Sequence, residues 1–131
     1  MRMYSPKKSW SMLICSLFIA ACDHVDEITP RSYVGLAVGH SGRLKLEIGK
    51  SLLENPENPV PQAGALQLSP PPGLDPVKFE FGWVTTGGVI IIQSSEYSVT
   101  VLQEPRIDQR QVKWSCVVHP ADAKPNVCGD Q

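Results

Sequence analysis

The sequence predicts an α+β domain in which a helix start precedes a series of β-strands. Thr29-Pro30 has the form of a helix N-terminus, because threonine caps well and proline suits the first helical position, where its missing N–H costs nothing. From residue 77 onward, short apolar runs separated by turn residues predict strands. Two cysteines, Cys116 and Cys128, lie at the end of this second part.

Residues 1–21 are predicted to be a lipoprotein signal peptide. A basic head precedes an apolar core over residues 12–19, which is shorter than the roughly 20 residues that span a bilayer. Ala20-Ala21-Cys22 is typical of a cleavage site at which the cysteine is then acylated, and two acyl chains suffice for stable anchoring. The alternatives are an ordinary secretory signal that happens to end near Cys22, or an uncleaved apolar anchor.

Removal of the signal leaves a tether over residues 22–29 and one domain over residues 30–131. Three of the 12 basic residues lie in the signal and all 13 acidic residues lie after it, so the remaining chain has a net charge of −4. This charge argues against nucleic acid as a partner.

The cysteine count predicts one disulfide. Cys15 leaves with the signal and Cys22 carries lipid, so Cys116 and Cys128 are the pair left in an oxidising compartment. Together with His119 they offer three zinc ligands, whereas a structural zinc site has four, and an exported cysteine pair oxidises first. The prediction is therefore a disulfide, with no metal and no cofactor.

The local sequence pattern does not decide whether residues 31–53 form a helix or a hairpin. Apolar residues fall near one face of a helix, and Glu54-Asn55-Pro56 is a suitable stop. However, Arg43 to Ile48 alternates strictly between polar and apolar residues, and Gly39 to Gly42 could form the turn of a hairpin.

A proline-rich connection over residues 56–76, with a short regular piece at 65–68, leads to the strands. We expect a strand ending at Trp83 with Trp83 on its buried face, a turn at 85–88, a central strand at 89–92 covered on both faces, and a strand at 97–103. Pro105 to Asp108 is expected to break the pattern. A last strand then directs four residues to one side: Val112, Trp114, Cys116 and Val118.

No catalytic constellation is predicted. Gly39-His40-Ser41-Gly42 resembles a nucleophile elbow, but Arg43 stands where the second glycine of that motif is required. His40 is expected at the surface. Trp83 and Trp114 could stack on sugars or bases, but on alternating strands they are expected in the core.

The order of these parts resembles the globular half of a type IV pilin. The resemblance covers residues 30–128, with Tyr33 near the head of the first segment, Trp114-Ser115-Cys116 in the last strand and Pro125-Asn126-Val127-Cys128 beyond it. It implies one helix over 31–53, packed on a four-stranded antiparallel sheet. It also implies that a Cys116–Cys128 disulfide staples the C-terminal loop to the last strand.

The chain departs from that family at its N-terminus. A prepilin continues into a long apolar helix that serves as membrane anchor and filament core. Here the apolar segment ends at Cys22, and three of the six residues 23–28 are acidic. We therefore expect a non-enzymatic, lipid-anchored pilin-like module that contacts pilins, pilus-assembly proteins or a surface partner.

Its expected location is the bacterial envelope. Asp23 favours the periplasmic face of the inner membrane over the outer membrane. The alternative function is that of a small envelope lipoprotein whose unrelated disulfide-stapled β domain binds a ligand or inhibits an enzyme.

Overall fold

The computed structural model describes residues 27–66 and 81–129. Within these two ranges, two helices come first, five strands follow, and a 3-10 turn at Ala121–Ala123 comes last. In chain order they are α1 (Pro30–His40), α2 (Gly42–Glu54), β1 (Gly64–Ala65), β2 (Phe81–Val84), β3 (Ile90–Ser94), β4 (Val99–Asp108) and β5 (Gln111–His119). The predicted signal, Cys22 and most of the tether lie outside the described residues, as do residues 77–80 of the first predicted strand.

The predicted helix start at Thr29-Pro30 is confirmed. The Thr29 side chain accepts a hydrogen bond of 3.2 Å from the Ser32 backbone N–H. The Ser32 hydroxyl oxygen in turn accepts one of 2.8 Å from the Thr29 backbone N–H. This reciprocal capping box satisfies donors that would otherwise be left open at the first turn.

The segment 31–53 is helical, so the hairpin with a turn at Gly39 to Gly42 does not form. Leu44 and Ile48, four residues apart, turn toward the sheet, whereas Leu46 between them is 76% exposed. The alternating polar and apolar pattern at 43–48 therefore does not mark a strand. Two of its apolar residues lie on the inward side of α2, and the third, Leu46, faces solvent.

The helical segment is two helices, where the pilin resemblance implies one. The junction is Ser41, whose hydroxyl donates to the Val38 carbonyl at 2.8 Å. Gly39 and Gly42 flank the junction, and both have low helix propensity.

The sheet is an antiparallel meander with the strand order β1-β2-β3-β4-β5. It has five strands where four were expected, because the two-residue β1 pairs Gly64 with Val84 and Ala65 with Trp83. The central strand β3 was expected to be covered on both faces. Only one face is: Ile90 and Ile92 are fully buried, whereas Ile91 on the other face is partly exposed.

The expected break at Pro105 to Asp108 is wrong. Strand β4 continues to Asp108, with Pro105 opposite Trp114. Past Gln103, the described neighbour of β4 is β5 alone, so Pro105 lies on an edge, where its missing N–H is tolerated. The hairpin then closes through Gln109 and Arg110, both of which have positive φ.

The prediction that Trp83 is buried is also wrong, because the residues of β2 that face the core are the alternate set to the one expected. Val84 pairs with the fully buried Ile90, so Val84 and Gly82 face inward and Trp83 faces outward, 38% exposed. The expected inward set on β5 is confirmed: Trp114, Cys116 and Val118 are buried and Val112 is partly buried against the core.

One hydrophobic core includes residues of both helices and of the sheet. Tyr33, Val34 and Ile48 from the helices are buried in the same cluster as Ile92 and Val101 from the strands. Among the described residues, neither helix has the length and apolar character needed to cross a membrane.

Candidate functional site

A disulfide fixes the C-terminal loop against the last strand. Cys116 on β5 is bonded to Cys128, with 5.3 Å between their Cα atoms. On the opposite side of the loop, the Arg31 guanidinium of α1 donates to the Asp122 carbonyl at 3.1 Å. The loop is thus tied to both the sheet and α1, and this brings Val127, beside Cys128, to the edge of α2.

An apolar groove runs between α2, β5 and this loop. Its volume is about 570 Å³, and we call it the α2 groove. Most of its lining is apolar or glycine. The lining residues are Val38, Gly42, Lys45, Leu46, Gly49, Lys50, Leu53, Val112, Trp114 and Val127.

Two glycines of α2 line the groove, one facing open space and the other facing β5. A Cβ on Gly42 would meet no heavy atom within 4 Å, so a side chain there would extend into free space. A Cβ on Gly49 would lie 3.7 Å from the Val112 side chain, so α2 lies close to β5 at this point. Because the glycines are seven residues apart, they lie on the same side of the helix.

Two lysines supply the charge of the groove. The Lys45 ammonium is 5.5 Å from the centre of the Trp114 ring, and partial burial lowers the pKa of Lys45 from its ordinary value. The Lys50 ammonium is 3.9 Å from the Glu54 carboxylate on the exposed side of α2. Among the described residues that line the groove, none carries a carboxylate.

A second apolar surface lies on the outer face of the sheet. Trp83 pairs with Ile91, Ile91 with Leu102, and Leu102 with Val117, so these side chains form one row across four strands. We call it the outer row. Val117 is 57% exposed, and the row contains no charged residue.

The structure tests some of the site residues that were predicted from the sequence and not others. The predicted lipidation site, Cys22, lies outside the described residues. The predicted Cys116–Cys128 disulfide is present, so these two cysteines are not zinc ligands beside His119. Within the described ranges, no three histidine, cysteine or acidic side chains are grouped closely enough to hold a metal.

The segment that resembles a nucleophile elbow forms a helix junction instead. Ser41 is fully buried and its hydroxyl accepts a hydrogen bond of 2.7 Å from the Gln103 side chain. It is therefore not an exposed nucleophile. His40 is exposed at the last residue of α1, as expected.

Gln103 and the α2 groove were not predicted from the sequence. Val99, Val101 and Gln103 alternate along β4, so this pattern could have placed Gln103 in the core. The groove had a weaker signal in the sequence, the seven-residue spacing of Gly42 and Gly49. Its walls come from β5 and the loop, which are far away along the chain.

Comparison with known proteins did not identify a relative. No protein family, curated protein or solved structure matched this chain significantly.

Proposed function

We propose that this chain is a lipid-anchored, pilin-like envelope protein that acts by binding other envelope proteins. The observation that carries the proposal is the order of parts in the domain. A helical segment starts at Pro30, an antiparallel sheet follows, and the Cys116–Cys128 bond closes the C-terminal loop onto the last strand. This is the order that the resemblance to pilin heads implies.

The proposal of binding is supported by the two exposed apolar surfaces. The α2 groove exposes Leu46, Leu53 and Val127, and the outer row exposes Trp83, Leu102 and Val117. Single exposed apolar residues are common on soluble domains, whereas contiguous apolar patches mark interaction sites. Each set is contiguous, the first around one helix and the second across paired strands.

The anchor determines how such a module acts. With lipid on Cys22, and with neither described helix long and apolar enough to continue a filament core, the head stays at the membrane and meets its partners there. Confinement to a membrane surface raises the effective concentration of anchored partners, so modest contact areas are sufficient.

A small envelope lipoprotein that binds a ligand is the second candidate. The volume of the α2 groove, about 570 Å³, favours it, because small-molecule sites commonly enclose roughly 300–1,000 Å³.

Crosslinking in the native envelope distinguishes the two candidates. The full-length protein, tagged at its C-terminus, is crosslinked in cells, purified from membranes and analysed by mass spectrometry. Cys22→Ala serves as the control that lacks the anchor. We expect pilins or pilus-assembly proteins to be enriched with the unaltered chain and lost with Cys22→Ala. Enrichment of a single unrelated enzyme, or of no pilus component, would support the second candidate instead.

A further inference from the structure

The residues of α2 that face the α2 groove follow a coiled-coil spacing. Gly42, Leu46, Gly49 and Leu53 are separated by four, three and four residues. That spacing places them in one strip along the helix, in the pattern of the inward positions of a heptad repeat. We call these four residues the α2 strip.

The two leucines of the α2 strip are open to a partner, and Gly49 between them is buried beside Val112. Leu46 is 76% and Leu53 48% exposed, whereas the inward row of the same helix, Ile48 and Leu52, is buried. Gly42 and Gly49 have no side chains, so Gly42 leaves a gap before Leu46 and Gly49 leaves one between Leu46 and Leu53. Such alternation of gaps and side chains is what a second helix needs to insert its own side chains.

Lys45 and Lys50 flank the α2 strip on opposite sides. At 3.6 residues per turn, Lys45 lies on the side of the strip nearer β5, and Lys50 lies on the side away from it. In the described structure the Lys45 ammonium has no carboxylate within 4 Å, and it is partly desolvated beside Trp114. In coiled coils, charges at these flanking positions select partners that carry the opposite charge.

We infer that the α2 groove binds an amphipathic helix of a partner protein whose apolar face is flanked by carboxylates. The inference rests on the proposed protein-binding function and names the partner chemistry for this one surface. The length of α2, 13 residues, corresponds to about 20 Å at about 1.5 Å per residue. A partner helix of three to four turns covers the whole strip, with side chains of Val112, Trp114 and Val127 forming the adjoining wall.

A helix fits this surface better than a small amphiphile does. Small-molecule sites bury about 70–90% of their ligand, whereas the leucines of the α2 strip stand on an open surface. The outer row does not offer the same recognition, because it has no charged residue to select a partner by sign.

The direct test measures binding of two synthetic helical peptides to the full-length protein in phosphatidylcholine nanodiscs. Both peptides have leucine at the inward heptad positions; one has glutamate and the other lysine at the flanking positions. Fluorescence anisotropy is expected to show the glutamate peptide binding at least about tenfold more tightly, the ratio that corresponds to about 1.4 kcal/mol. Equal affinity for the two peptides would overturn the inference. So would displacement of the glutamate peptide by a long-chain fatty acid that itself binds more tightly.

Matched variants locate the binding site. Gly42→Phe fills the groove and is expected to weaken binding of the glutamate peptide by at least about tenfold. Gly39→Phe is the control, because Gly39 is exposed on α1, does not line the groove, and also has no heavy atom within 4 Å of a Cβ. Unchanged binding by folded Gly42→Phe, judged by circular dichroism, would contradict the site.

The paired substitution Lys45→Gln with Lys50→Gln tests the charge selection without filling the groove. It is expected to reduce the preference for glutamate over lysine peptides by about tenfold. The control Arg106→Gln with Lys124→Gln removes the same charge from exposed positions outside the groove. An unchanged preference in the first pair, or an equal loss in the control pair, would count against the inference.

Crosslinking from defined positions separates failure of this inference from failure of the proposed function. A photoreactive amino acid is placed at Leu46 in the α2 strip or at Val117 in the outer row of the full-length chain. If pilus components crosslink from Val117 and not from Leu46, protein binding stands and the assignment to the α2 groove is wrong. If neither position captures a pilus component, the proposed function fails as well.

Discussion

The side-chain amide of Gln103 donates a hydrogen bond of 2.7 Å to the hydroxyl of Ser41, 62 residues away, and both residues are fully buried. The Ser41 hydroxyl in turn donates a hydrogen bond of 2.8 Å to the Val38 carbonyl. The bond therefore joins the junction of α1 and α2 to strand β4.

Removing Ser41 from this pair is expected to destabilise the domain. In Ser41→Ala the buried Gln103 amide loses its partner, which costs about 1–3 kcal/mol of unfolding free energy. Replacing both residues, Ser41→Ala with Gln103→Leu, is expected to cost less than the two single losses added together, because neither side chain of the pair is then left without its partner. Urea denaturation of the four proteins measures this coupling. Additive losses would show that the two side chains act independently.

The disulfide is expected to be inaccessible and stabilising. Cys116 and Cys128 are bonded to each other and buried, so neither should react with an alkylating agent until the bond is reduced. Cys128→Ser is expected to lower the unfolding free energy by about 2–5 kcal/mol, which endangers a domain of this size. Thermal melts and iodoacetamide labelling check both parts. Rapid labelling of Cys116 or Cys128 in native, unreduced protein would contradict the pairing.

Two glycines are expected to respond oppositely to alanine. Gly88 has φ of +86°, and a Cβ there would lie 2.7 Å from the Ile48 Cγ2. Gly88→Ala should cost at least about 2 kcal/mol, because left-handed backbone and overpacking each cost about 1–2 kcal/mol or more. Gly49→Ala meets only an ordinary contact of 3.7 Å with Val112 and should stabilise α2 by about 0.5–1 kcal/mol. Equal effects of the two substitutions in urea melts would disagree with this geometry.

Local chemistry made part of the fold predictable. The helix start at Thr29 is predictable because the first backbone N–H groups of any helix need hydrogen-bond acceptors from outside the helix. The inward set on β5 is predictable because side chains alternate between the two faces of a strand. The disulfide followed from the predicted export signal and the number of cysteines. Each of these needed only a few neighbouring residues or a count.

The errors arose where tertiary contacts decide between local alternatives. Gly82 has no side chain to mark the inward face of β2, so the local pattern did not indicate that Trp83 faces outward. The pairing of Val84 with Ile90 determines which face is inward. Pro105 indicated a break, but the strand continues because its free edge tolerates proline there. The α2 groove could not be predicted because Trp114 and Val127 reach α2 only after the sheet and the stapled loop are formed.

The lipid anchor is tested at Cys22. Cells that express Cys22→Ala and are grown with a radiolabelled fatty acid should yield unlabelled protein that is unprocessed or soluble, whereas the unaltered chain should be labelled. The reason is that the acylated cysteine is the residue that follows the predicted cleavage site. Cys15→Ala is the matched control and should remain labelled. Labelling that persists in Cys22→Ala would show that Cys22 is not the lipidated residue.

The central claim is that this pilin-like head is retained at the membrane and binds partners there, instead of forming filaments. The most direct measurement is quantitative mass spectrometry of the full-length protein in sheared pili and in washed membranes from the same cells. The account predicts that nearly all of the protein remains with the membranes, and that purified protein forms no fibres. Recovery of the protein as a stoichiometric subunit along sheared pili would contradict the claim.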